Sequence, residues 1–214
     1  LLPGREARLG EKAFSSVFPL VDALAPAIGP YLDMPFVFFG HSMGALVAFE
    51  LARKLRRERK ALPECLFVSA RVAPGFALKR PPLSNLPEDE FTRALARFNG
   101  SEKGVLQHAE LMKLMLPTLR ADFALHEQYQ YSEEPALECP IVAFGGLQDL
   151  ATEVEGLDAW RLHTDRSFMR RMFAGDHFFI NTQQSFFLSK LAQELQRVIA
   201  KIGRGASSDC KHTV

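Results

Sequence analysis

Phe36-Val37-Phe38-Phe39-Gly40-His41-Ser42-Met43-Gly44 is the stretch on which the fold of this chain turns. Four apolar β-formers run into a glycine–x–serine–x–glycine turn, and a segment of different character, Ala45–Arg59, follows. A short continuous apolar run predicts a strand buried on both faces, at the centre of a sheet. Ala45–Arg59 begins apolar all round and ends charged, as a helix does when it starts under a sheet and emerges into water. The turn between them must be sharp. It holds Ser42 in strained backbone geometry, and Gly40 and Gly44 are expected because side chains there would collide with the neighbouring strand and helix. The Ser42 hydroxyl is then projected at a helix N-terminus, where the Met43 N–H is free to donate to an oxyanion. Five residues alone match by chance; the strand before and the helix after carry the weight.

Outward from this turn the pattern alternates. Phe14 to Leu32 has apolar residues at helical spacing, interrupted by Pro19 and Pro26. Cys65–Ser69 and Pro140–Gly146 read as buried strands, and Ser167–Phe173 as a more polar strand nearer an edge. Ala73–Pro87 is rich in proline and turn residues and reads as a loop. Pro87 to about Tyr131 shows only helical pattern, so a helical insertion spanning about 84–132 is expected between the second and third strands. Leu188, Leu191, Leu195, Val198 and Ile202 give an amphipathic last helix, and residues 204–214 are expected to form a disordered tail. Strands alternating with helices predict an α/β domain over residues 1–203, a mostly parallel sheet with helices on both faces. Sites in such sheets lie at the carboxyl ends of the strands.

The 214 residues carry a formal net charge of +1, which gives bulk electrostatics no reason to favour nucleic acid. The one basic run, Arg53–Lys60, is expected to be a solvated helix end. Three widely spaced cysteines, Cys65, Cys139 and Cys210, form neither a metal-binding nor a disulfide pattern. No apolar run is long enough to span a membrane. These features predict a cytoplasmic protein, and in the absence of any interface signal a monomer.

A serine hydroxyl needs a base. His41 is adjacent but is expected to point away across the turn. His108 and His126 fall in the helical insertion, His163 in a polar connector and His212 in the tail. His177, in Gly175-Asp176-His177-Phe178-Phe179, follows the fourth strand and reaches the carboxyl edge of the sheet. The imidazole in turn needs a carboxylate to fix its tautomer. Asp149 follows the third strand and its glycine turn, whereas Asp176, as the immediate neighbour of His177, would reach the ring with poor geometry, and Asp158 and Asp165 lie further into the connector. The order Ser42, Asp149, His177 is that of the α/β-hydrolase fold.

With these residues in place the chain resembles the type II thioesterases that accompany nonribosomal peptide and polyketide synthases, from Leu2 to about Ile202. Leu2-Pro3-Gly4-Arg5-Glu6 matches the family's L-P-G-R-E, GHSMG its nucleophile elbow, and Leu116–Phe123 (LPTLRADF) its L-P-x-L-R-A-D segment. Thioesterases of animal fatty-acid synthesis are similar but less closely matched. The resemblance implies hydrolysis of acyl groups from the phosphopantetheine arm of carrier proteins, with no metal or bound cofactor. It also implies that the insertion is a lid over an acyl channel. Leu111, Met112, Leu114, Met115 and Leu116 would then offer an adaptable acyl-contacting surface, while Arg120 and Asp122 organise the lid.

The same resemblance places a strand and a glycine-rich loop before L-P-G-R-E, the loop giving the second oxyanion N–H. They do not appear in these 214 residues, so the expectation is a fragment, poorly active or insoluble. One lost donor costs about 100- to 1,000-fold in rate, and the strand at Phe36–Phe39 would keep an unpaired apolar edge. Full, stable activity of the short chain beside one extended upstream would refute that expectation. Two other readings stay open: a general carboxylesterase or lipase-like hydrolase, and a non-catalytic carrier-binding protein that keeps the fold.

Overall fold

A computed structural model describes residues 1–77, 81–98 and 109–209. Four strands, β1 (Phe38–His41), β2 (Leu66–Ser69), β3 (Ile141–Gly146) and β4 (Phe168–Phe173), lie side by side in chain order, all parallel. Their side chains alternate between two cores. Leu66, Val68, Ile141 and Ala143 face Ala45, Ala48, Phe49 and Ala52 of α2 (Met43–Arg57), with Trp160 beside them. Cys65, Phe67, Val142 and Phe144 face Phe179 of α5 (Phe179–Thr182) and Phe187, Leu191, Leu195 and Val198 of α6 (Gln184–Asp209). The two inner strands, β2 and β3, are therefore buried on both faces, and each fully buried Leu or Phe contributes about 1.5–3 kcal/mol. The α/β architecture read from the sequence holds.

Several details differ from that reading. The apolar run at residues 36–39 does not form a central strand. Pairing begins at Phe38, and β1 is the outermost strand of the described sheet, so Phe39 stays 41% exposed. Neither proline breaks α1 (Val17–Ile28). Pro19 lies in the first turn, whose N–H groups lack intrahelical acceptors anyway, and Pro26 sits in the last turn, just before a 3₁₀ turn at Gly29–Tyr31. The last helix continues to Asp209, so residues 204–209 of the expected tail are helical, while 210–214 lie outside the described residues. The basic run is not wholly solvated. Arg53 is 1% exposed and is held by Glu50 at 2.6 Å, Glu134 at 2.8 Å and the Ser132 carbonyl at 2.7 Å. A buried cation survives only with such partners.

The insertion between β2 and β3 contains α3 (Glu88–Phe98) and α4 (Ala109–Glu127). Phe91, Leu95, Met112 and Leu116 form a separate small core between them. As expected, Arg120 organises this unit. Its Nη1 donates to the Ser84 and Leu86 carbonyls, and its guanidinium lies 4.6 Å from the Phe91 ring centre. The Glu127 carboxylate accepts from the Leu83 and Ser84 N–H groups at 2.7 and 2.9 Å. Asp122 pairs with Arg5, and Thr118 Oγ1 donates to the Gly4 carbonyl at 2.8 Å. The L-P-G-R-E turn and the L-P-T-L-R-A-D-F segment, over a hundred residues apart in sequence, are thus fastened to each other.

Candidate active site

β1 ends and α2 begins within one residue, and that residue is Ser42. Its φ of 54° and ψ of −115° lie where side chains are rarely tolerated, a strain of about 1–3 kcal/mol held by the surrounding structure. The Ser42 N–H donates to the Ser69 carbonyl at 2.7 Å, so β2 ties the turn down. Gly40 is required for the reason the sequence suggested: a Cβ there would sit 2.1 Å from the Gly44 carbonyl oxygen. Gly44 is not, because a Cβ at that position meets nothing within 4 Å among the described residues. Gly40→Ala is therefore expected to destabilise the chain by about 1–3 kcal/mol, measured as a lowered denaturation midpoint, with Ser42 displaced by the same shift.

The strand ends bring the three expected side chains together. His177 Nε2 is 2.9 Å from Ser42 Oγ, and His177 Nδ1 is 2.9 Å from Asp149 Oδ2. The other Asp149 oxygen accepts from the Ala151 N–H at 2.7 Å. His177 and Asp149 are 6% and 9% exposed, so these bonds form in a poorly hydrated setting. Burial works to raise the Asp149 pKa. The His177 hydrogen bond and charge, with help from Ala151 and Thr152, more than offset it and hold the carboxyl below its ordinary value. The loops carrying Asp149 and His177 approach closely at Gly146, where a Cβ would meet the Asp176 carbonyl oxygen at 2.4 Å.

The rival groups are engaged elsewhere. Asp176 accepts from the Phe178 N–H at 2.9 Å, closing its own loop. Asp158 pairs with Arg170 and Asp165 with Arg166. His163 Nε2 meets the Pro74 carbonyl at 2.9 Å, and His108 and His212 lie outside the described residues. His41 Nδ1 bonds Ser69 Oγ at 2.9 Å, and its ring centre is 5.3 Å from that of His177. Burial, and then the neighbouring His177, push its pKa down to about 4. It stays neutral and backs the His177 ring.

Ser42 and His177 open into a cavity of about 540 Å³ between the sheet edge and the helical insertion. Met43 lines it as well, and no backbone acceptor meets the Met43 N–H among the described residues. Of the insertion residues expected to line it, none whose side chain is described does so. Met112 and Leu116 are consumed in the small core between α3 and α4, Met115 is half-buried away from the cavity wall, and the Leu111 side chain lies outside the described residues. The wall is instead Leu119, Phe123 and His126, one to two turns further along α4, facing Arg71 at the end of β2. Their spacing of four and three residues marks one helix face, a signal present in the sequence. Arg71 carried a signal too, since it stands two residues beyond the end of a buried strand. Among the described residues no group of three or more His, Cys, Asp or Glu side chains is placed to hold a metal ion, and no helix is long and apolar enough to cross a membrane.

This arrangement can deprotonate a hydroxyl, hold the resulting imidazolium against a carboxylate and donate a backbone N–H to an oxyanion: acyl transfer. Comparison with known proteins agrees. The family profile described as thioesterase domain matches residues 1–196. Gramicidin S biosynthesis protein GrsT of Aneurinibacillus migulanus is 41% identical over 199 residues, 93% of this chain and 78% of that protein. Linear gramicidin dehydrogenase LgrE of Brevibacillus parabrevis is 42% identical over 198 residues, covering 91% of this chain and 75% of that one. Among solved structures, the RedJ thioesterase from the prodiginine biosynthetic pathway of Streptomyces coelicolor superposes with a TM-score of 0.83 at 36% identity, over 90% of this chain and 73% of that chain.

Proposed function

Because the chain belongs to the thioesterase domain family, and is thus a serine-based hydrolase of thioesters, we propose that it clears acyl or peptidyl groups from the phosphopantetheine arm of carrier proteins. The relatives with pathway names support a setting in nonribosomal peptide or polyketide assembly, where such editing restores misprimed synthases. The observation that carries this reading is the pair of 2.9 Å contacts from Asp149 through His177 to Ser42, at the wall of a cavity roofed by the helical insertion.

In this mechanism Ser42 Oγ attacks the thioester carbonyl as His177 Nε2 takes its proton. Asp149 holds the imidazolium, and the Met43 N–H donates to the oxyanion. His177 then protonates the leaving thiolate. A water molecule, deprotonated by His177, hydrolyses the acyl-serine and regenerates the hydroxyl. Side chains and water complete the cycle with neither metal nor bound cofactor, and all three members of the triad come from one chain. The word dehydrogenase in the name of LgrE belongs to that protein; the site here is built for a proton relay and acyl capture.

Relative turnover separates this reading from a general esterase. Butyryl thioester on a carrier protein is expected to exceed p-nitrophenyl butyrate in kcat/KM by at least about tenfold, since binding of the arm adds to transition-state stabilisation. Equal or reversed rates would assign the site to free esters.

A further inference from the structure

We propose that Arg71 is a specificity residue that selects acyl groups carrying their own carboxylate; the proposal rests on the thioesterase reading above. Arg71 lines the same cavity as Ser42 and His177. Its guanidinium has no carboxylate at ion-pair distance among the described residues; its side chain's one hydrogen bond is a long 3.5 Å contact from Nη2 to the His126 carbonyl. The contrast with the other arginines that are at least partly covered is sharp. Arg5, Arg53, Arg56, Arg170 and Arg171 each pair with a carboxylate, and Arg120 takes two carbonyls.

The acids on the cavity wall are committed elsewhere. Asp122 holds Arg5, and Glu127 accepts two backbone N–H groups. Nearby Asp149 holds His177 and the Ala151 N–H. His126, beside Arg71, carries a buried Nδ1 with no partner among the described residues, and burial, then the Arg71 charge, drive its pKa to about 3, so it adds no competing cation. Burial lowers Arg71 itself to about 10, which leaves it charged at neutral pH. A partly desolvated guanidinium without a counter-charge favours any ligand that brings one, and its planar fork suits a carboxylate.

The position of the anion on the substrate follows from the chemistry of the arm. The arm's phosphate lies at the end opposite the sulfur, next to the carrier. With the thioester carbonyl against Ser42, that phosphate stays with the carrier. An anion inside the cavity must therefore belong to the acyl group, as in a dicarboxylic half-thioester. Acyl groups bearing an ammonium would be disfavoured by the same charge.

Three pantetheine thioesters test this: glutaryl, 5-methylhexanoyl as its neutral isostere, and 5-aminopentanoyl. The wild type is expected to favour glutaryl over the neutral chain by about 10- to 100-fold in kcat/KM, with the ammonium chain slowest. Arg71→Met should bring the glutaryl preference to about one, and Arg71→Lys should keep part of it, circular dichroism confirming that each variant is folded. No glutaryl preference in the wild type, or a preference that survives Arg71→Met, overturns the proposal. If the wild type turns over none of the three thioesters, the thioesterase reading fails, and calorimetric titration with free glutarate decides the Arg71 site alone. Binding by the wild type that is lost in Arg71→Met supports it, and no binding by the wild type overturns it.

Discussion

Ser42→Ala is expected to lower thioester turnover on the order of a millionfold. Removing the hydroxyl removes the nucleophile and leaves His177 Nε2 facing a methyl group in place of an oxygen 2.9 Å away. What survives is the modest acceleration from positioning in the cavity and from the Met43 N–H, because triad members act as a unit. The backbone strain at φ 54° is the same for alanine as for serine, so stability should change little. Hydrolysis of butyryl-pantetheine, together with covalent labelling by a fluorophosphonate, measures the effect. Labelling of the wild type and none of the variant is expected, and it also separates an enzyme from a carrier-binding protein that merely keeps the fold.

Asp149→Asn should cost about 10,000-fold in kcat while leaving KM and the fold nearly intact. The carboxylate accepts the Nδ1–H of His177, which leaves Nε2 unprotonated toward Ser42. An amide can donate to Nδ1 instead, and the ring then presents Nε2–H to the serine, the wrong tautomer for a base. Because the folded site holds the Asp149 pKa below its ordinary value, its contribution to stability is complete above the ordinary carboxylate range and is lost as pH falls through the lowered value. The substitution should therefore flatten the acid limb of the stability profile, as well as slowing the reaction. Steady-state kinetics beside denaturation at several pH values tests both parts.

The sequence made the sheet and the triad legible because strong local rules point at both. Leu66–Val68 and Ile141–Phe144 are apolar throughout since both faces of those strands are covered, and Gly40 can be nothing else when the elbow carbonyl passes so close. Triad order could be read because each member follows a strand. The cavity wall was harder. Along α4, Met112, Leu116, Leu119 and Phe123 share one apolar face: Met112 and Leu116 are buried against Phe91 and Leu95, while Leu119 and Phe123 touch that small core and also reach the cavity. Periodicity reports that a face is apolar, not which partner it meets. Arg53 was misread for a related reason. It opens a basic run, but one turn after Glu50 and beneath Ser132 and Glu134 it is covered by chain that arrives from far along the sequence. Tertiary contact, invisible to local pattern, decided both cases.

Covalent capture at the elbow is open to direct observation. Acyl-loaded carrier protein can be mixed with the chain, quenched in acid during turnover, digested and mapped by mass spectrometry. The acyl mass should appear on Ser42, and it should be absent from Ser42→Ala. Substrate consumed with the acyl group on another residue, or undiminished turnover by Ser42→Ala, would contradict the serine relay.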